Sequence, residues 1–123
     1  MYQTYLITGA TGFLGRAVLQ LLLAHSCRIL ALVMDKDPLA YTIPENVTVF
    51  CGDLTDKDTL RSFFAAGGDN FCVLHCAGIV SVASKPDEAI YRVNVQGTQN
   101  IIDLCCEFGA EKLVYVSSVH AIA

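Results

Sequence analysis

The chain has 123 residues, the length of one ordinary domain. A hydrophobic fraction of 54%, with only 16% charged residues, suits central strands buried on both faces. Eight basic against twelve acidic side chains give a net charge of -4 without any basic cluster, which argues against nucleic acid as a partner.

Residues 3 to 8 predict a first strand, and residues 13 to 25 a helix with Leu14, Val18, Leu21 and Leu22 recurring on one face. CRILALVM, 27 to 34, reads as a fully buried strand, followed by a loop marked by Pro38 and Pro44 and a third strand at 46 to 51. Thr55-Asp56-Lys57-Asp58 resembles a capping box that opens a helix ending at Gly67-Gly68. NFCVLHCA, 70 to 77, predicts a fourth strand. Pro86, Asp87 and Glu88 suit the first turn of a long helix, where a missing N–H costs nothing and negative charge meets the dipole. Its sheet-facing stripe is Ile90, Val93, Gly97, Ile101, Leu104 and Phe108, and Gly109 stops it. KLVYVSS, 112 to 118, is the fifth strand. This alternation predicts an α/β fold: a doubly wound, Rossmann-like parallel sheet of about five strands with right-handed crossovers, all in one domain over 1–123.

The stretch TGATGFLG, residues 8 to 15, joins the first strand to the first helix. Free N–H groups and the helix dipole at such a junction favour an anion. A pyrophosphate fits there only if side chains stay away, which assigns the three glycines. Gly9 permits the tight turn, Gly12 lets the backbone approach phosphate, and Gly15 lets the helix pack close to the strand. The amides of Phe13 and Leu14 are the expected donors, with the Thr11 hydroxyl supporting the loop. Ala10 stands where the GxGxxG form needs glycine, so the spacing is G-x-x-G-x-x-G.

Neither AVLQLLLA nor ILALVM reaches the roughly 20 residues of a membrane-spanning helix, and no basic segment with an apolar block opens the chain. No membrane partner and no secretory signal are therefore expected. The six cysteines, Cys27, Cys51, Cys72, Cys76, Cys105 and Cys106, form no Cys-x-x-Cys pair. They read as small buried hydrophobes in a reducing cytosol, with no metal site, and the sequon Asn46-Val47-Thr48 as silent. The expected location is cytoplasmic.

With this glycine spacing the chain resembles the extended branch of the short-chain dehydrogenase/reductase superfamily, which includes nucleotide-sugar epimerases and dehydratases, dihydroflavonol reductases and 3-beta-hydroxysteroid dehydrogenases. TGATGFLG, CGDLTD (51 to 56), LHCAG (74 to 78), NVQGTQNIID (94 to 103) and LVYVSSVHA (113 to 121) match in order and span nearly the whole chain. The resemblance implies hydride transfer between a nicotinamide and a small-molecule alcohol/carbonyl substrate. It implies that Asp53 accepts from the adenine amino group, with Leu54 lining the ring; a helix-capping acid is the other reading of Asp53. It implies that Cys76, Ala77 and Gly78 line the ribose and nicotinamide path, and that Asn94 stands near the nicotinamide, where a purely structural amide is the alternative. Ser118 matches the catalytic serine that holds the substrate carbonyl or alcohol, with Ser117 its lesser neighbour; a substrate contact is one reading of His120, and a loop histidine that is neither ligand nor base is the commoner one. Val33 stands where NAD-preferring members carry an acid, and Met34 where NADP-preferring members carry an arginine. Lys36 and Arg28 offer positive charge for a 2'-phosphate, which tilts the expectation within NAD(P) toward NADP.

The family's chemistry also needs a tyrosine followed four residues later by a lysine, which lowers the tyrosine's pKa. Tyr41, Tyr91 and Tyr115 are followed at that distance by Glu45, Val95 and Val119. The chain is thus expected to be the amino-terminal, cofactor-binding part of a longer enzyme, inactive alone, without the substrate domain, and prone to homo-oligomerise through exposed apolar surface. A non-catalytic dinucleotide sensor or scaffold is the alternative, and a protein-interaction domain a weaker one.

Overall fold

A computed structural model describes residues 2–76 and 92–115, with the backbone alone for 92 and 93. Strands β1 (Thr4–Thr8), β2 (Arg28–Val33), β3 (Thr48–Cys51), β4 (Phe71–His75) and β5 (Lys112–Tyr115) form one parallel sheet in the order β3-β2-β1-β4-β5. Helix α1 (Phe13–Leu23) follows β1, and α2 (Arg61–Ala65) continues a 3-10 turn at Lys57–Leu60. Helix α3 (Gly97–Phe108) grows out of a wide π-helical turn at Arg92–Gln96. The fold is the expected α/β, Rossmann-like one, and each strand lies inside its predicted span. Positions 116 to 118 of the predicted fifth strand, and Pro86, Asp87, Glu88 and Ile90 of the predicted long helix, lie outside the described residues.

Alternation along the strands builds two cores. Leu6 pairs with Leu30 and Val73, and all three face α2 and α3 together with Phe63, Phe64, Ile101 and Leu104. Ile7 pairs with Ala31, and both face α1, where Leu19 and Leu22 cover them. Because every second residue turns to the opposite face, one short run such as Leu6-Ile7 feeds both cores. A sheet covered on both faces explains why these strands read as unbroken apolar runs.

The buried stripe of α1 differs from the predicted one. Gly15, Leu19 and Leu22 face the sheet, whereas Leu14 is 46% and Leu21 72% exposed. The reason is steric. A Cβ on Gly15 would stand 1.8 Å from the Gly9 carbonyl oxygen, so the helix docks through its one residue without a side chain. That contact turns Leu14 and Leu21 toward the flank.

The helix start near Thr55 also moves. Asp56, not Thr55, is the N-cap, its carboxylate accepting from the Asp58 amide at 3.2 Å, and the turn runs as 3-10 before four residues later becoming α2. Gly109 ends α3 as predicted, in the left-handed conformation at φ 73. Within the predicted α3 stripe, Gly97, Ile101 and Leu104 are buried and Phe108 packs against the same core. All six cysteines are free thiols. Only Cys72 is fully buried; Cys51 and Cys106 are exposed, since they lie at a strand end and on the outer face of α3.

Candidate functional site

In the order β3-β2-β1-β4-β5 the chain runs outward from β1 to β3, then returns to the other side of β1. The crevice at this reversal lies at the carboxyl ends of β1 and β4, where Thr8 and His75 are register partners. The glycine loop begins there. Gly9 adopts φ 73, a left-handed conformation open to glycine at little cost, and its carbonyl accepts from the Gly12 amide at 3.0 Å. Gly12 is the N-cap of α1 with extended backbone, and no side chain caps the helix or brings an acid to its first turn. The first-turn amides, at Phe13, Leu14 and Gly15, thus begin an 11-residue helix whose positive end no carboxylate among the described residues caps. The Phe13 side chain is 96% exposed beside them.

At the end of β2, Met34 and Lys36 are exposed, and Lys36 takes a left-handed φ of 63. The Thr11 hydroxyl donates to Asp37 Oδ2 at 2.9 Å, while Asp37 Oδ1 accepts from the Leu39 amide at 2.9 Å. Thr11 supports the loop as expected, through a carboxylate that the sequence reading passed over. Arg28 is a correction. It is the first residue of β2, at the amino edge of the sheet, and its guanidinium donates to the Ala66 carbonyl at 3.4 Å. The six residues from Arg28 to Val33 span about 17 Å at strand rise, so Arg28 lies at the far end of the strand from the loop.

After β3, Asp53 Oδ1 accepts from the Thr55 amide at 2.9 Å and the Thr55 hydroxyl at 2.7 Å. Asp53 is therefore a turn-forming acid rather than a helix cap, with Oδ2 meeting no protein donor among the described residues. Leu54 is only 7% exposed and belongs to the core under α3, its carbonyl accepting from Asn100 Nδ2 at 2.8 Å. It can offer a ring little more than its edge.

After β4, the Cys76 amide donates to the Thr8 carbonyl at 3.2 Å, and burial pushes the half-buried Cys76 thiol pKa up, away from reactivity. Asn94 is half-buried in the π-helical turn before α3, a feature that often marks functional positions. Ala77, Gly78, Ser117, Ser118 and His120 lie outside the described residues.

His75 is a second site feature without a role in the sequence reading. It is 1% exposed; Nδ1 lies 2.7 Å from Thr8 Oγ1 and Nε2 3.2 Å from Thr98 Oγ1, and its ring stacks on Tyr115 at 5.6 Å. Burial lowers its pKa to about 4, so the ring is neutral near pH 7. Among the described residues, no three His, Cys, Asp or Glu side chains converge as a metal ion would require, and no helix is long and apolar enough to cross a membrane.

Comparison with known proteins agrees with this geometry. Residues 6–123 match the model of the 3-beta hydroxysteroid dehydrogenase/isomerase family. The chain is 39% identical to 3 beta-hydroxysteroid dehydrogenase type 7 of Rattus norvegicus over 125 residues, covering 96% of this chain and 36% of that protein. It is 35% identical to a putative dihydroflavonol 4-reductase of Synechocystis, covering 99% of this chain and 34% of that one. The crystal structure of a Thermus thermophilus UDP-glucose 4-epimerase in complex with NAD superposes with a TM-score of 0.80 at 32% identity, over 94% of this chain and 37% of that one. The chain spans about a third of the length of these relatives. By the match along nearly its whole length, it belongs to the 3-beta hydroxysteroid dehydrogenase/isomerase family, within the extended short-chain dehydrogenase/reductases.

Proposed function

We propose that this chain is the dinucleotide-binding portion of an NAD(P)-dependent oxidoreductase or epimerase that acts on a small-molecule alcohol/carbonyl pair. One observation carries the reading: a left-handed Gly9 turn at the sheet's reversal point leads into a helix that no side chain caps and that packs through Gly15. This arrangement suits a pyrophosphate, because first-turn amides and the helix dipole attract the anion while glycines leave it room. A bound nicotinamide would supply the hydride exchange with the substrate carbon. The chain's own residues bind and orient. The amides of Phe13 and Leu14 hold phosphate, Thr11 braces the loop, and Asp53 offers Oδ2 to an exocyclic amine. Ser118, by family resemblance, holds the substrate oxygen.

Between the two cofactors, Asp37 favours NAD. Its carboxylate is tied to the phosphate loop through Thr11, and negative charge there opposes a 2'-phosphate; of Lys36 and Arg28, whose charge tilted the sequence toward NADP, only Lys36 lies near the loop. The similar Thermus epimerase was crystallised with NAD. The free thiols suit a reducing cytoplasm, and exposed apolar residues on the sheet's flank suit a homo-oligomer. Titration of the complete chain with NADH and NADPH tests the reading. NADH is expected to bind more tightly, and failure to bind either dinucleotide would overturn the proposal.

A further inference from the structure

We propose that His75 is a positioning residue for the dinucleotide: its ring ties the last residue of β1, which feeds the glycine loop, to the first turn of α3, and so holds the loop's amides in place. The inference rests on the dinucleotide reading above and names a residue that reading leaves without a task.

The buried positions on this face of the sheet are otherwise mostly apolar: Leu6, Leu30, Leu32 and Val73. His75 and Thr8 break that pattern together, side by side in register, at the edge next to Gly9. Nδ1 lies 2.7 Å from the Thr8 hydroxyl and Nε2 3.2 Å from that of Thr98. A neutral imidazole has one N–H and one lone pair, so one threonine must accept and the other donate. Either tautomer of the ring satisfies both hydroxyls, one as donor and the other as acceptor. Thr8 is held a second time through its carbonyl, by the Cys76 amide at 3.2 Å.

The far anchor is itself fixed. Gly97, next to Thr98, lies so close to Leu54 that an added Cβ would stand 3.0 Å from the leucine's Cβ. Asn100 donates to the Leu54 carbonyl one turn along. The first turn of α3 is therefore bolted to the loop after β3, and His75 extends that fixed point across β4 to β1. Tyr115 at the end of β5 packs on the ring and closes the fourth side. No charged side chain among the described residues hydrogen-bonds the imidazole, and burial keeps it neutral.

Without the strut the glycine loop would have to be ordered when the cofactor arrives, and that cost appears as weaker affinity. The test is NADH titration of the complete chain and three variants, with affinity taken on the folded fraction and melting followed separately. His75→Phe keeps an aromatic ring against Tyr115 but loses both hydrogen bonds, and is expected to bind NADH about tenfold more weakly. Thr98→Val removes only the far anchor and should give a smaller loss. Combining the two should weaken binding no further than His75→Phe alone, because both break one connection. His75→Gln, which still offers a donor and an acceptor, should recover part of the affinity.

A merely structural histidine would lower the melting temperature while leaving the folded fraction with wild-type affinity, and that result would overturn the proposal. If His75→Phe does not fold, unchanged NADH affinity in Thr98→Val overturns it instead. Failure of the wild-type chain to bind NADH is a separate outcome: it removes the dinucleotide reading, and this inference with it.

Discussion

Gly15 and His75 show how single residues set the site. A methyl group on Gly15 would meet the Gly9 carbonyl oxygen at 1.8 Å, so Gly15→Ala must push α1 off the sheet. Overpacking of this kind costs about 1–3 kcal/mol. Chemical denaturation should register that loss, together with weaker NADH binding as the loop moves with the helix. His75 makes a prediction in pH. Its folded pKa of about 4 lies below the 6.5 of an ordinary histidine, so on acidification the unfolded chain gains a proton before the folded one does. Its effect on stability is nil above pH 6.5 and grows as pH falls toward 4, to a loss of about 3 kcal/mol. Urea unfolding across that window should show the slope, and His75→Gln should flatten it. Asp103 acts lower. Its carboxyl is held below its usual range by the Lys57 ammonium and Gln99, so its contribution is present above 3.8 and disappears as pH falls through the depressed folded value.

At the scale of elements, α3 is attached to the rest in two ways of unequal strength. Leu104 and Ile101 are fully buried in the core shared with Phe63, Phe64 and Phe71. On the rim, Lys57 pairs with Asp103 at 2.8 Å and Arg61 with Glu107, all partly exposed. Leu104→Ala is expected to cost about 2–5 kcal/mol, because it removes buried surface and leaves a cavity. Asp103→Asn is expected to cost far less than Leu104→Ala, since water screens a pair that is more than a third exposed. Equal losses in denaturant unfolding would show that the rim pairs, not the core, hold this helix.

For the molecule as a whole, the described residues cover the two faces of the sheet unequally. Helices α2 and α3 cover one face, while α1 is centred over β1 and β2 on the other. Val49 and Val114, in register with Ala31 and Leu74 on that second face, remain 42% and 36% exposed at opposite edges. With Leu21 exposed on α1, they leave separate apolar positions at both edges of the sheet and on the helix, which suit association with another copy. Sedimentation velocity is expected to show oligomers that Leu21→Glu and Val114→Glu weaken; a monodisperse monomer at high concentration would contradict the proposal. Cofactor choice also belongs at this scale, because it joins two loops. Asp37→Ala should narrow the preference for NADH over NADPH, and an unchanged ratio in paired titrations would remove Asp37 from the selection.

Much of this architecture was legible in one dimension. Apolar runs alternating with amphipathic segments specify a parallel sheet, since only strands covered on both faces can afford no polar side, and the G-x-x-G-x-x-G spacing locates the turn where the chain must come closest to itself and to a phosphate. What needed three dimensions was every choice between adjacent options. Leu14 and Leu21 share the predicted stripe with the buried Leu22 and are as apolar as Leu19, and the contact of Gly15 with Gly9 selects which of them are buried. Arg28 and Lys36 look alike as charges near one strand, yet they lie at opposite ends of it. Asp37 and His75 gain their places from Thr11 and Thr8, 26 and 67 residues away along the chain. Periodicity records which residues avoid water; which partners they meet instead is decided by packing across the sheet, between positions that the linear order keeps apart.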